Sequence, residues 1–152
     1  MNEQYAAIMA TFPILQGFTA AGAQMLLEGG TIKNCVPGEI LFKEGDPPIS
    51  TLLVLKGKLE VFVQRQGLEL ILREPGPGAI LGELAVLCEI PRSASLRAVS
   101  DAVVLVWTAV QFRTLLLRHK LFSERVLGQS LRNLIEKEHS IVDSLMAERA
   151  GR

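Results

Sequence analysis

Hydrophobic and polar positions follow a helical spacing in the first 29 residues. Asn2–Met9 is predicted as one helix, Phe12 and Pro13 interrupt the pattern, and a second helix is predicted from Thr19 to Glu28. Thr19 is suited to cap the second helix, because its hydroxyl can accept a hydrogen bond from a free N–H of the first turn. Segment 1–29 is therefore predicted to consist of N-terminal helices.

The pattern changes to short apolar runs between turn residues over segment 30–108. Turns that recur roughly every ten residues are typical of a sandwich, jelly roll or small barrel. The predicted strands are Glu39–Phe42, Thr51–Leu55, Lys58–Gln64, Leu68–Leu72, Ala94–Val99 and Ala102–Thr108. Apolar and polar residues partly alternate in Lys58–Gln64 and Leu68–Leu72, so each of these strands is expected to bury one face.

Helical spacing returns in segment 109–152, first at Val110–Arg118 and then in a long helix at about Leu121–Ala150. Apolar positions of the long helix recur with a heptad rhythm, in which Glu138 occupies one expected apolar position. These positions are Leu127, Leu131, Leu134, Ile141 and Leu145. The pattern fits an amphipathic helix that packs on its own domain, and it fits equally well a helix that pairs with a second copy in a homodimer.

The composition excludes some classes of binding partner and some cellular locations. Lys and Arg total 16 and Asp and Glu total 16, which argues against broad capture of nucleic acid or anionic membrane. No apolar run has the length of a membrane span, and the N-terminus lacks the features of a secretory signal. Cys35 and Cys88 form no metal-binding motif and suit a reduced cytoplasm. We therefore expect a cytoplasmic protein of one domain, residues 1–152, without a membrane partner.

Catalytic chemistry is poorly represented in the chain. His119 and His139 are its two histidines, and neither has a Cys or Asp at metal-ligand spacing or a Gly-flanked serine nearby. The sequence therefore predicts neither a metal site nor a catalytic residue, and we expect that the protein is not an enzyme.

The segment Gly78–Ala98, GAILGELAVLCEIPRSASLRA, carries the candidate chemistry. Gly82 and Glu83 open a short helix, whose first turn offers unpaired N–H groups to an anion. Arg92 can grip a phosphate through two N–H groups, and Ser93 can add donors. Glu83 would repel that phosphate unless a hydroxyl lies between them. The 2′-OH is the free ribose hydroxyl of a 3′,5′-cyclic nucleotide and meets this need.

The segment resembles the phosphate-binding cassette of the cyclic nucleotide-binding domain family, which includes catabolite activator proteins and cyclic-AMP-dependent kinase regulatory subunits. Gly82-Glu83-Leu84-Ala85 is similar to the opening of that cassette, and Pro91-Arg92-Ser93-Ala94-Ser95 is similar to its end. The turn glycines Gly38, Gly45, Gly57 and Gly78 also have counterparts in the family. The sequence departs from the family at Ala79, where Asp is common, and at Ser95, where Thr is frequent.

The resemblance implies a mainly β fold, a double-stranded β-helix or jelly-roll-like β-roll, with helices at both ends and the cassette at residues 78–98. It implies that Glu83 takes the ribose 2′-OH and that Arg92 and Ser93 take the cyclic phosphate. The backbone of Gly82, Leu84, Ala85 and Ala94 is expected to complete the site.

The leading hypothesis is a non-enzymatic sensor or regulatory domain that binds cyclic AMP or cyclic GMP and moves its C-terminal helix. The alternative is a protein-interaction or dimerisation module of the same fold that no longer binds nucleotide. A separate effector is expected to carry the output, because the one helix after His119 leaves no room for a DNA-reading helix-turn-helix. The choice between the two nucleotides stays open, with Arg132, Asn133 and Lys137 as candidates for contact with the base.

Overall fold

The computed structural model describes residues 2–151, with helices at both ends and strands between them. The helices are α1 (Asn2–Met9), α2 (Ala20–Glu28), α3 (Glu83–Cys88), α4 (Ala109–Arg118) and α5 (Lys120–Ala150), and a 3-10 turn lies at Pro13–Leu15. The strands are β1 (Thr31–Cys35), β2 (Ile40–Phe42), β3 (Ser50–Lys56), β4 (Leu59–Arg65), β5 (Leu68–Arg73), β6 (Ile80–Leu81), β7 (Ser95–Ala98) and β8 (Ala102–Thr108). This architecture confirms the predicted fold class, a β-roll with flanking helices.

The strands form two antiparallel sheets of four strands each within residues 2–151. Their orders are β1-β8-β3-β6 and β2-β7-β4-β5, so the chain passes repeatedly from one sheet to the other. Side chains from both sheets, such as Val54, Leu59, Leu96 and Val104, pack into one buried cluster. The cassette, residues 78–98, runs from β6 at the edge of the first sheet through α3 to β7 of the second sheet.

Two strands were absent from the sequence-based prediction. Strand β6 has two residues, which is too short for any hydrophobic period to be recognised. Strand β1 has the sequence TIKNC and is largely exposed, so its side chains carry no alternating signal. It is a strand because its backbone pairs with β8, from Thr31 opposite Val106 to Cys35 opposite Ala102.

The expectation that Leu68–Leu72 buries one face is wrong. Strand β5 covers this segment and is exposed along its whole length, whereas β4 is buried over most of its residues. The reason is that the side chains of β5 belong to neither buried cluster, so no element packs over the faces of this strand within residues 2–151. Periodicity identifies a strand but does not determine whether another element covers it.

An aromatic cluster joins the terminal helices to the roll. Phe122 of α5 lies against Trp107 and Phe112, with ring centroids 5.6 and 6.1 Å away. The indole N–H of Trp107 donates to the carbonyl of Leu26 at 2.8 Å. The first turns of α5 are thus held in the core, and its position relative to the cassette is determined.

The second half of α5 is exposed to solvent, from residue 134 to residue 150. The buried side chains of α5 are Phe122, Val126 and Ser130, all in its first half. The apolar heptad positions beyond them are exposed, with Leu134 at 44% and Ile141 at 60%. Packing on the roll therefore accounts for only the first part of α5. No helix within residues 2–151 has the length and apolar character needed to cross a membrane.

Candidate ligand-binding site

Gly82 is the residue on which the geometry of the cassette depends. It precedes α3 with φ +80°, in the left-handed region that favours glycine. A Cβ at this position would lie 2.4 Å from Nη1 of Arg92. The absence of a side chain at Gly82 therefore allows the guanidinium of Arg92 to lie directly against the backbone at the start of α3.

Main-chain contacts from the turn before β3 hold Arg92 in place. The N–H of Arg92 donates to the carbonyl of Asp46 at 2.9 Å, and the N–H of Gly45 donates to the carbonyl of Arg92 at 2.8 Å. Its guanidinium donates from Nη1 to the carbonyl of Gly82 at 3.0 Å and from Nη2 to that of Ser50 at 2.6 Å. The same group lies 4.1 Å from the ring centroid of Phe42.

Arg92 retains an unused donor despite these contacts. The residue is 3% exposed, and its Nε has no hydrogen-bond partner in the described part of the chain. Burial lowers the pKa of Arg92, while the negative charges of Asp46 and Glu83 act in the opposite direction. Buried N–H groups in proteins are nearly always bonded, so an unpaired donor on a buried cation indicates a place for an acceptor, most favourably an anion.

Glu83 is the acidic group of the site. It is the first residue of α3 and is 8% exposed. Its Oε1 accepts a hydrogen bond from the hydroxyl of Ser130 on α5 at 2.9 Å. Its Oε2 has no hydrogen bond within residues 2–151, and among these residues Glu83 and Arg92 do not form an ion pair with each other. A structural ion pair therefore does not account for these two charges.

A cavity of about 90 Å³ lies between the cassette, the roll and α5. All the site residues predicted from the sequence line it, namely Gly82, Glu83, Leu84, Ala85, Arg92, Ser93 and Ala94. The side chains of Phe42, Val61, Arg73, Leu81 and Lys137 complete the wall. The fold thus brings the two ends of the cassette together around one cavity.

The candidates for contact with the base are divided between two cavities. Lys137 lines the cassette cavity, whereas Arg132 and Asn133 line a separate cavity of about 510 Å³ beside Pro13 and the Gly76–Ala79 loop. Successive residues of a helix point in different directions, so a few positions along α5 move a side chain from one face to the other. The tertiary structure therefore leaves Lys137 as the candidate that adjoins Glu83 and Arg92.

Sequence reasoning missed Ser130 and Arg73. A signal for Ser130 was present in its spacing. Phe122, Val126 and Ser130 are four residues apart in turn, so they lie on the same, buried face of α5. A serine in that position requires a buried partner. Arg73 is the last residue of the exposed strand β5 and carries no local signal. The pairing of β5 with β4, which sets Arg73 opposite Val61, brings it to the cavity.

The cassette is connected to both C-terminal helices. Arg113 of α4 donates to the carbonyl of Val86 at 2.6 Å and lies 3.3 Å from the carboxylate of Glu89. Ser130 of α5 contacts Glu83 at the other end of α3. A displacement of α3 therefore changes contacts with α4 and α5 directly.

The described residues contain no group of three His, Cys, Asp or Glu side chains placed to hold a metal ion. Cys35 is buried and Cys88 exposed, and both are free thiols. What the site offers is a buried cation with an unused donor next to a carboxylate oxygen with an unused acceptor position. Together with the β-roll, these features define a class of small-ligand-binding domains.

Comparison with known proteins identifies the family. The profile of the cyclic nucleotide-binding domain matches residues 32–119. This range includes the cassette, helix α4 and all eight strands, except for the first residue of β1. The chain therefore belongs to the cyclic nucleotide-binding domain family.

Three similar proteins illustrate the settings in which the domain occurs. The catabolite activator protein of Thermus thermophilus is 28% identical, with a TM-score of 0.78, and the match covers 85% of this chain and 61% of that one. A cAMP-binding acyltransferase of Mycobacterium smegmatis is 26% identical, with a TM-score of 0.67, covering 82% of this chain and 39% of that one. An uncharacterized ABC transporter ATP-binding protein of Mycobacterium tuberculosis is 35% identical over 100 residues, and the match covers 65% of this chain and 27% of that relative.

Proposed function

We propose that the protein is a non-enzymatic regulatory domain that binds cyclic AMP or cyclic GMP in the cassette cavity. The observation that carries this proposal is the unpaired Nε of buried Arg92, a residue that lines the same cavity as Glu83, whose carboxylate has Ser130 as its one hydrogen-bond donor within residues 2–151. A ligand that satisfies both must present an anion and a hydroxyl donor on one small, rigid framework. A cyclic phosphate fused to a ribose has this combination.

In this proposal each end of the cassette has a separate task. Arg92 and Ser93 bind the cyclic phosphate, and Glu83 accepts the ribose 2′-OH. The backbone of Gly82, Leu84, Ala85 and Ala94 surrounds the same cavity and supplies the remaining polar contacts. The positive charge of the buried guanidinium balances the single negative charge of a cyclic phosphate. It also offsets the repulsion between the phosphate and the nearby carboxylate of Glu83.

Binding requires the cavity to widen. Sites for small molecules usually have volumes of about 300 Å³ or more, and the cavity measures about 90 Å³. The walls contributed by α3 and α5 belong to different parts of the chain and are joined by the bond between Glu83 and Ser130. We propose that the ligand shifts the population toward a conformation in which α5 lies differently over the cassette, and that this movement is the signal.

The second candidate is an interaction or dimerisation module of the same fold that does not bind nucleotide. The small cavity and the exposed apolar positions of α5 favour this candidate. The two candidates differ in one measurable property, because only the sensor gains stability and releases heat when a cyclic nucleotide is added.

Isothermal titration with cyclic AMP, cyclic GMP and 5′-AMP tests the proposal. We expect saturable binding of at least one cyclic nucleotide and much weaker binding of 5′-AMP, whose phosphate carries an additional charge that Arg92 alone does not balance. Absence of heat, together with an unchanged melting temperature in the presence of either cyclic nucleotide, would instead support the second candidate.

We further propose that the chain acts as one domain in the cytoplasm and that a separate effector protein reads the movement of α5. Its two free thiols suit a reducing compartment. We also propose that the domain is divided into three parts: N-terminal helices at residues 1–29, the β-roll at residues 30–108 and C-terminal helices at residues 109–152.

A further inference from the structure

Ser130 occupies an unusual position for a polar side chain. Helix α5 is exposed over most of its length, and its buried side chains are Phe122, Val126 and Ser130. Ser130 is 4% exposed and donates its hydroxyl hydrogen to Oε1 of Glu83 at 2.9 Å. The burial of a hydroxyl in an otherwise apolar stripe is tolerated because it has this partner.

The same bond is important for Glu83. It is the one hydrogen bond that the Glu83 side chain makes within residues 2–151. An ionised carboxylate that is buried without a donor is strongly disfavoured, so Ser130 stabilises the carboxylate in the conformation described here. A hydroxyl from the protein thus bonds the group to which the proposed function assigns a hydroxyl of the ligand.

The cavity is too small to admit a nucleotide while Ser130 holds α5 against α3. The cavity of about 90 Å³ is bounded by α3 on one side and by Lys137 of α5 on another, while Ser130 joins α5 to α3 directly. Widening this cavity to the volume of a nucleotide separates α5 from α3. That separation removes Ser130 from Glu83 and leaves the carboxylate in need of a donor, which the ribose 2′-OH supplies.

We infer that Ser130 is an internal competitor of the ligand: its hydroxyl takes the place of the ribose 2′-OH at Glu83 and holds α5 closed over the cassette. This inference rests on the proposed function. Ligand binding and release of α5 then become one exchange, in which one hydroxyl donor of Glu83 replaces another. The exchange also explains how an event at the ribose reaches a helix that belongs to a different part of the fold.

Replacement of Ser130 by Ala tests the exchange. The variant removes the competitor but leaves Glu83 and Arg92 in place, and alanine is well suited to a helix. A hydrogen bond to an ionised group corresponds to about a ten- to hundredfold effect, part of which is offset by water that reaches Glu83 in the variant. We expect Ser130→Ala to bind cyclic AMP or cyclic GMP about 5- to 20-fold more tightly than the parent.

Three further measurements make the result specific. Ser140→Ala alters an exposed serine of the same helix and is expected to leave the affinity unchanged. The 2′-deoxy nucleotide is expected to gain as much from Ser130→Ala as the ribose form does, because both must displace α5. Hydrogen exchange of the α5 amides near Ser130 is expected to be faster in the ligand-free variant than in the ligand-free parent.

Unchanged or weaker binding by Ser130→Ala, with binding by the parent, would overturn the inference and retain the proposed function. Weaker binding would mean that Ser130 holds one oxygen of Glu83 while the ligand uses the other. If the parent binds neither cyclic nucleotide, the proposed function fails and the inference fails with it, so the two failures are separated by the parent titration alone.

Discussion

Gly82 and Arg92 occupy adjoining space, such that a Cβ on Gly82 would lie 2.4 Å from Nη1 of Arg92. The same glycine has φ +80° and accepts the hydrogen bond from that nitrogen at 3.0 Å. One position therefore determines the backbone at the start of α3, the orientation of the guanidinium and the closeness of the two ends of the cassette.

Gly82→Ala is predicted to abolish or strongly weaken nucleotide binding, because the added methyl group displaces the guanidinium of Arg92. We expect a loss of at least tenfold in affinity, or about 1.4 kcal/mol, measured by titration calorimetry. Gly67→Ala is the matched control, since Gly67 has φ +75° and open space around its Cβ direction. That control should cost similar stability from backbone strain and should bind normally. Equal affinity of the two variants would contradict this prediction.

Arg92→Ala is predicted to remove binding while the protein still folds. Loss of a buried charge partner costs about 2–5 kcal/mol, or roughly a 30-fold to several-thousand-fold lower affinity. The carbonyls of Gly82 and Ser50 also lose their donor, so stability should fall by about 1–3 kcal/mol. Calorimetric titration and denaturant unfolding measure the two effects separately.

Arg97→Ala serves as the control for Arg92→Ala. Arg97 is an arginine of β7 that pairs with Glu60 and Glu69, away from the cassette cavity. We expect the Arg97→Ala variant to bind the cyclic nucleotide with the affinity of the parent protein. Binding by Arg92→Ala within a few fold of the parent would show that the assignment of the phosphate site is wrong.

Glu83→Gln is predicted to reduce discrimination between the ribose and 2′-deoxy forms of the ligand. The parent should prefer the ribose form, because the buried carboxylate accepts the 2′-OH, and an amide oxygen is a weaker acceptor than a carboxylate. The ratio of the two dissociation constants is the measured quantity, so a general change in affinity does not affect the result. A parent that binds both forms equally would leave Glu83 without a role at the ribose.

A homodimer through α5 is predicted from the exposed apolar heptad positions of that helix. Leu134→Glu combined with Ile141→Glu should produce a monomer, since both residues are more than 40% exposed in the single chain and would place unpaired carboxylates in the dimer seam. Glu138 within the same stripe should keep the parent dimer modest in affinity. Light scattering at several concentrations, with and without cyclic nucleotide, measures the association.

Leu117→Glu is the control for the dimer, because Leu117 is an 88% exposed leucine of α4 outside the heptad stripe. It should dimerise like the parent. A parent that remains monomeric at high concentration would exclude this dimer and leave α5 as an element that acts within one chain.

The sequence by itself determined the order of the elements apart from strands β1 and β6, and it singled out the cassette segment. Turn glycines, β-rich runs and the long heptad helix are local signals, and β8 was predicted with the bounds that the structure has. The residues Gly82, Glu83, Arg92 and Ser93 were identified because their chemical types and spacing within one short segment are unusual. Their roles toward a ligand remain predictions.

Only the tertiary structure decided which side chains from other segments reach the site and which elements are covered. Ser130 and Glu83 meet because aromatic packing at Phe122 fixes the direction of α5 across the cassette. Strand β5 is exposed because its side chains join neither of the two buried clusters. Both facts depend on contacts between residues far apart in the chain, and no local pattern of hydrophobic and polar positions encodes which distant surface an element will meet.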